Sequence, residues 1–206
     1  MTATNCDSLD VPTRNPVILV HGIWNHAGIF STLKAYLEQA GWPVYALSMQ
    51  PNNGDVTLEV LAEQVAAFAE KTTAGRPFDL VGFSMGGLIS RYYVQRLGGL
   101  AQVQRLVTVS APHRGTALGL LSDRPGIRQM RPGSLFLQSL NQDTSQLETL
   151  QFFSLWTPFD LLILPPWSSQ LGIGKEQRLL VPSHNRMIRN PLGLAAIAQC
   201  LSDRSA

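Results

Sequence analysis

The sequence predicts an α/β fold in which helices cover both faces of a mostly parallel sheet of about six strands. Short β-branched runs alternate with longer segments of helical spacing through the first half of the chain, and this alternation is typical of βαβ units. Hydrophobic residues make up 45% of the 206 residues and charged residues 15%, a balance that fits strands buried on both faces. We expect one domain over residues 1–206, with a polar extension at residues 1–15.

The first half of the chain supplies most of the predicted elements. Apolar β-rich runs predict strands at Pro16–Val20, Val44–Met49, Phe78–Phe83 and Gln104–Ser110. Apolar residues at helical spacing predict helices at Ile29–Ala40, from Asp55 up to Gly75, and at Met85–Leu97. A glycine follows each helix, which is where helices commonly end in a left-handed residue.

The second half of the chain is less regular. Proline and glycine at positions 125, 126, 132 and 133 predict a loop at 118–133, which we interpret as a small cover over the site. After it we expect a short helix at Ser134–Asn141, strands at Leu150–Trp156 and Gln177–Val181, and a closing helix at Pro191–Leu201. Pro191 suits the first turn of that helix, where its missing N–H costs no hydrogen bond.

Charge and cysteine content exclude several classes of protein. The net charge of +2 provides no electrostatic footprint for nucleic acid. The two cysteines, Cys6 and Cys200, lie near opposite ends of the chain, so we expect neither a disulfide framework nor a metal site, and no cofactor is indicated. The N-terminus has neither a basic start nor an apolar run, which favours a cytoplasmic protein, with transient contact at a membrane surface left open.

The segment VGFSMGGLIS, Val81–Ser90, places a serine between a predicted strand and a predicted helix. Residues 82–86 match the G-x-S-x-G pattern of a nucleophile elbow, in which glycines permit a sharp and strained turn. Such a turn raises the Ser84 hydroxyl at the carboxyl edge of the sheet, where open α/β folds bind ligands. We therefore predict that Ser84 is a nucleophile and not part of a purely structural turn.

The nucleophile needs a base and an acid that orients the base. Of the histidines only His113 and His184 follow Ser84, and His113 leaves no room for a strand and an acid before it. His184 follows the last predicted strand and is the expected base. Asp160 directly follows the strand before it, among apolar neighbours that imply a buried and partnered carboxylate, and is the expected acid. Asp143, in a polar turn, is the weaker alternative.

Two backbone N–H groups are expected to stabilise a developing oxyanion. One belongs to Met85, the residue after the nucleophile. The other should come from the loop after the first strand, which begins His21-Gly22, and Gly22 allows the backbone to turn so that the N–H of Ile23 faces the site.

These segments resemble small lipases and esterases of the α/β-hydrolase superfamily, bacterial triacylglycerol lipases among them. The resemblance extends over nearly the whole chain, and its segments are VHGIW at Val20–Trp24, GFSMGG at Gly82–Gly87, SAPHRGT at Ser110–Thr116 and GSLFLQSLN at Gly133–Asn141. It implies an α/β-hydrolase fold and carboxylic ester hydrolysis. It also implies a triad of Ser84, Asp160 and His184.

The substrate is less well defined by the sequence. An acyl ester or lipid is the expected substrate, and Trp24, Phe159, Leu120 and Leu121 are predicted to contact it. Arginines in and beside the predicted cover offer contacts to anionic lipid head groups, although an ordinary solvated loop is an equal alternative. A thioesterase, an acyltransferase or a glycolipid or phospholipid deacylase would use the same triad, and a non-catalytic binding protein is the third interpretation.

Overall fold

The computed structural model describes residues 14–203, and within them six parallel strands form one sheet. The predicted extension therefore lies outside the described residues except for its last two, and so does Cys6. The strands are β1 (Val17–Val20), β2 (Val44–Leu47), β3 (Phe78–Phe83), β4 (Val103–Val109), β5 (Gln151–Trp156) and β6 (Lys175–Arg178), in the spatial order β2-β1-β3-β4-β5-β6. All neighbouring pairs are parallel, which confirms the predicted α/β architecture.

Helices connect the strands and cover both faces of the sheet. The α-helices are α1 (Ser31–Gln39), α2 (Leu58–Thr73), α3 (Met85–Arg96), α4 (Pro125–Gln129), α5 (Leu135–Gln142) and α6 (Pro191–Ser202). Short 3₁₀ turns occupy Ala27–Phe30, Gly99–Ala101, Ala117–Leu121, Thr144–Thr149, Pro166–Ser169 and His184–Ile188. None of the helices within residues 14–203 combines the length and the apolar character that a membrane crossing requires.

The core consists of two apolar layers, one on each face of the sheet. Alternate side chains of β1 illustrate the division, since Ile18 and Val20 pack with α2 and α3 on one face. Val17 and Leu19 pack with α1 and α6 on the other. The strand is buried along its whole length, as a continuous apolar run in a parallel sheet predicts.

The topology brings the loop after β1 beside the loop after β3. The chain passes from β1 outward to β2 and then crosses back to β3 on the other side of β1. Loops that leave neighbouring strands in opposite directions open a crevice at the carboxyl edge, and ligands bind there in open α/β sheets. The predicted oxyanion loop and the predicted nucleophile lie at this point.

Two predicted elements are wrong in detail. The segment 118–133 is not a plain loop, because it contains a 3₁₀ turn and α4. Its Pro125 and Gly126 begin that helix: proline fits the first turn, and a Cβ at Gly126 would lie 2.6 Å from the Val56 carbonyl oxygen. The last strand lies at Lys175–Arg178 and not at Gln177–Val181, because this exposed edge strand is charged while the apolar residues after it leave the sheet to join the core.

Candidate active site

Ser84 lies in a strained turn between β3 and α3. Its φ of 56° and ψ of −128° place a non-glycine residue in the left-handed half of the Ramachandran map. The turn is held by the Ser84 N–H, which donates to the Val109 carbonyl at 2.8 Å. It also requires small neighbours, since a Cβ at Gly82 would lie 2.6 Å from the Gly87 Cα and one at Gly86 would lie 2.6 Å from the His21 carbonyl oxygen. The glycines therefore let α3 start directly against β1 and β3.

The structure brings Asp160 and His184 together. The Nδ1 of His184 lies 2.6 Å from Oδ2 of Asp160, and both side chains are buried. Asp160 sits in the turn after β5, where its Oδ1 accepts hydrogen bonds from the N–H groups of Leu162 and Ile163, both at 2.9 Å. The His184 ring packs on Phe83, the residue before Ser84, with 4.7 Å between ring centroids. The acid is thus fixed by two backbone donors while its second oxygen faces the histidine.

Electrostatics favour an ionised Asp160. Burial alone raises the pKa of this carboxyl, but the hydrogen bond and charge of His184 and the two backbone donors outweigh it, so the pKa lies below its usual value. An ionised carboxylate can only accept, so the Nδ1 of His184 carries the hydrogen and Nε2 keeps a free lone pair. His184 can therefore accept a proton at Nε2 while Asp160 accepts the hydrogen bond from its Nδ1.

The loop after β1 carries Ile23, whose N–H is the second predicted oxyanion donor. Gly22 lies against the nucleophile, since a Cβ built on it would be 2.9 Å from the Cβ of Ser84. Ile23 lines the same cavity as Ser84 and His184, and its N–H donates to no acceptor within the described part of the chain. Met85 is the first residue of α3, so its N–H has no intrahelical acceptor. Both groups are available to a ligand atom.

A cavity of about 430 Å³ opens beside Ser84 and His184. Most of its wall is apolar, and its apolar residues are Ile23, Trp24, Leu118, Leu121, Ile127, Met130, Leu162 and Ile163. Of the predicted substrate contacts, Trp24 and Leu121 line the cavity, whereas Leu120 and Phe159 do not. Leu120 turns toward a separate groove on the far side of the cover, and the Phe159 side chain is exposed elsewhere.

Several residues of the cavity wall were not predicted individually from the sequence, although the segments that contain them were. Leu118, Ile127 and Met130 belong to the predicted cover, where Leu118 lies in the 3₁₀ turn, Ile127 in α4 and Met130 at the C-terminal end of α4. Leu162 and Ile163 belong to the apolar run that follows Asp160. Asn25 and Asn185, beside the oxyanion loop and the histidine, gave no sequence signal beyond their adjacency to site residues.

Two arginines in and beside the cover, Arg124 and Arg131, have partners within the protein. Arg124 forms an ion pair with Asp55 at 3.3 Å and donates to the Asn53 carbonyl at 3.1 Å. Arg131 pairs with Asp123 at 2.7 Å and donates to the Gly119 carbonyl at 2.9 Å. These contacts hold the cover in place, which weakens the expectation that the same groups serve lipid head groups.

His113 lies away from the cavity in a buried polar network. Its Nδ1 faces the guanidinium of Arg91 at 3.3 Å and its Nε2 faces the Thr108 hydroxyl at 3.0 Å. Burial first, and then the nearby Arg91 and Arg114, lower the pKa of His113 well below its usual value, so the ring is neutral. These contacts link His113 to α3 and β4, so the structure gives the segment around His113 a structural role. The described residues contain no group of three or more metal-ligating side chains.

Residues 16–158 match the model of the palmitoyl protein thioesterase family, and this range is more than half of the chain. It includes Ser84 and both predicted oxyanion segments, and it ends before Asp160 and His184. Among curated relatives, palmitoyl-protein thioesterase 3 of Dictyostelium discoideum is 31% identical over 111 residues, which cover 51% of this chain and 38% of that protein. A triacylglycerol lipase of Pseudarthrobacter phenanthrenivorans is 31% identical over 113 residues, which cover 50% and 35%. The matches thus span little more than a third of these relatives.

Solved lipase structures share the fold. The mature form of Bacillus licheniformis lipase BlEst2 superimposes with a TM-score of 0.76 at 16% identity, over 93% of this chain and 94% of that one. Aspergillus fumigatus lipase B gives a TM-score of 0.79 at 20% identity, over 92% of this chain and 53% of that one. At these identities the likeness concerns the fold, and it confirms the α/β-hydrolase architecture that the sequence predicts.

Proposed function

Because the chain belongs to the palmitoyl protein thioesterase family, we propose that it is a serine hydrolase that cleaves acyl esters or thioesters through a covalent acyl-enzyme. The observation that carries this proposal is the buried Asp160–His184 pair, with 2.6 Å between Nδ1 and Oδ2, at a cavity that Ser84 shares. A free Nε2 and a nucleophilic hydroxyl at one apolar cavity are the requirements of acyl transfer.

In the first step the Ser84 oxygen attacks the acyl carbonyl while Nε2 of His184 takes its proton. The resulting oxyanion accepts hydrogen bonds from the N–H groups of Ile23 and Met85, and the imidazolium is stabilised by the Asp160 carboxylate. Collapse of the tetrahedral intermediate expels the leaving group, which receives the proton from His184. Water then attacks the acyl-enzyme by the same route, which releases the carboxylic acid and restores Ser84.

The leaving group distinguishes two candidate substrates. The lipase relatives and neighbours favour an oxygen ester, in line with the ester hydrolysis that the sequence predicts. The family match and the Dictyostelium relative favour a thioester, for which the same residues serve and the leaving thiol needs less help from a proton. For an ester and for a thioester alike, the largely apolar wall of the cavity suits the acyl chain of the substrate.

We expect the protein to hydrolyse p-nitrophenyl esters and acyl thioesters and to react with a fluorophosphonate probe. Peptide mass spectrometry should then find the phosphonate adduct on Ser84. Comparison of kcat/KM for an ester and a thioester of equal chain length would rank the two substrates. Absence of both hydrolysis and labelling in a folded protein would instead leave a binding protein with a hydrolase fold.

The rim of the cavity supports uptake of the acyl chain from a lipid surface. Leu121 lines the cavity and yet is 80% exposed, and Trp24 on the opposite loop is 69% exposed. Leu161, next to the acid, is also exposed. Large apolar side chains that border an apolar cavity are suited to contact a substrate or the lipid layer around it.

Leu121→Ser should lower turnover of a long-chain ester dispersed in phosphatidylcholine vesicles much more than turnover of a soluble short-chain ester. The reason is that a short acyl group does not reach the rim, whereas a long chain loses roughly 1–3 kcal/mol of apolar contact there. Leu120→Ser is the matched control, because Leu120 is also largely exposed but lies outside the cavity. Equal losses for both ester lengths, or for both variants, would contradict the role of the rim.

A further inference from the structure

The ring of His21, the residue that directly follows β1, makes two hydrogen bonds to the backbone. Its Nε2 accepts from the N–H of Met49 at 3.0 Å. Its Nδ1 lies 2.8 Å from the carbonyl oxygen of Gly22. A nitrogen that accepts from an N–H carries no hydrogen itself, so the hydrogen of the neutral ring is on Nδ1 and is donated to Gly22. The two contacts thus require a single tautomer.

The Gly22 carbonyl belongs to the same planar peptide as the Ile23 N–H. In a trans peptide these two groups point in opposite directions, so a contact that fixes one of them fixes the other. The carbonyl accepts from no other group within residues 14–203. The nucleophile and the cavity border this peptide, because Gly22 lies against Ser84 and Ile23 lines the cavity wall.

We propose that His21 is a positioning residue for the oxyanion hole: its Nδ1–H holds the Gly22 carbonyl so that the Ile23 N–H faces the reacting carbonyl of the substrate. This role rests on the proposed function, since it concerns the donor that stabilises the oxyanion. A peptide that rotates by half a turn would present its carbonyl oxygen to the oxyanion and would repel the charge that the N–H stabilises.

The surroundings of His21 keep the ring in the required form. Burial is the main cause that lowers its pKa; the neighbouring His26 lowers it further, and the bond to Gly22 opposes the shift in part. The side chain is fully buried at the end of β1, where α3 packs against the His21 carbonyl. If His21 served only to stabilise the core, its contact with Met49, which links the end of β1 to the end of β2, would be sufficient. The Gly22 contact is the additional one.

Two substitutions separate the contacts. His21→Asn places an amide near the position of Nδ1, so it can donate to Gly22 and cannot reach Met49. His21→Gln reaches the position of Nε2, so it can accept from Met49 and cannot hold Gly22. If His21 positions the Ile23 N–H, His21→Gln should lower kcat for a p-nitrophenyl ester by at least about tenfold with little change in KM, because removal of a whole oxyanion donor costs about 10²–10³. His21→Asn should recover most of that loss.

Folding of each variant is verified by circular dichroism, and ¹⁵N NMR of the wild-type histidine rings reports the tautomer independently of activity. The expected result is a neutral His21 ring with its hydrogen on Nδ1. A hydrogen on Nε2, or a kcat that falls more in His21→Asn than in His21→Gln, would overturn the positioning role while the wild type still hydrolyses the ester. A folded wild type that hydrolyses nothing would refute the proposed function, and the positioning role with it.

Discussion

Replacement of Ser84 by alanine should abolish ester hydrolysis, with a fall in kcat of about 10⁴-fold or more, as for removal of the nucleophile in a serine protease. The reason is that no other hydroxyl of the cavity combines the strained turn after β3 with the adjacent N–H of Met85. The variant should fold, because alanine differs from serine only by the loss of the hydroxyl oxygen and the turn already accommodates a Cβ at this position. The loss is measured as kcat for a p-nitrophenyl ester and as the absence of fluorophosphonate labelling.

Ser90→Ala is the matched control for this change. Ser90 lies further along α3, is fully buried, and its hydroxyl has no hydrogen-bond partner among the described residues. Its replacement should leave both hydrolysis and labelling intact. If Ser84→Ala kept the wild-type rate, the nucleophile would have to be another group, and the two-step route through an acyl-serine would be wrong.

The elbow could be predicted from sequence because local chemistry determines it. Glycines two residues before and two residues after Ser84, an apolar run before the turn and a helical pattern after it leave few alternatives for the backbone. The order of the remaining site residues along the chain then restricted the choice of His184 and Asp160. The structure brings these two together at 2.6 Å, although they are separated by 24 residues.

The wall of the cavity could not be predicted in the same way. Leu120 and Leu121 are identical and adjacent, and only the 3₁₀ turn at Ala117–Leu121 directs one toward the cavity and the other away from it. The segment contains prolines and glycines that suggest a loop, whereas Pro125 begins α4. Contacts of this kind depend on tertiary packing, which composition and periodicity do not encode. The tautomer of His21 likewise depends on Met49, a residue 28 positions away.

Asp160→Asn should lower kcat by about 10⁴-fold while the protein stays folded, in line with the known triad case. The structure gives a specific reason. Because Oδ1 of Asp160 accepts from the N–H groups of Leu162 and Ile163, an asparagine would keep its oxygen there and turn its NH₂ group toward His184. A donor in that position forces Nδ1 to accept, so the hydrogen moves to Nε2, and the base can no longer take the proton of Ser84.

Asp143→Asn is the matched control for this prediction. Asp143 is the other carboxylate that the sequence offered, and it forms a half-exposed ion pair with Arg96 at 2.5 Å, at the end of α5. Loss of a surface pair of this kind is expected to cost less than about 1 kcal/mol of stability and to leave kcat nearly unchanged. A severe loss in Asp143→Asn combined with a mild one in Asp160→Asn would reverse the assignment of the acid.

Urea unfolding across a pH series provides a second test of Asp160 that does not involve catalysis. The pKa of this carboxyl is lowered in the folded protein, so its ionised form stabilises the fold above the unfolded pKa of about 3.9. That contribution is lost as the pH falls through the lower folded value. The difference in unfolding free energy between wild type and Asp160→Asn should therefore shrink in acid. A difference that stays constant through this range would mean that the charge on Asp160 does not contribute to the stability of the fold.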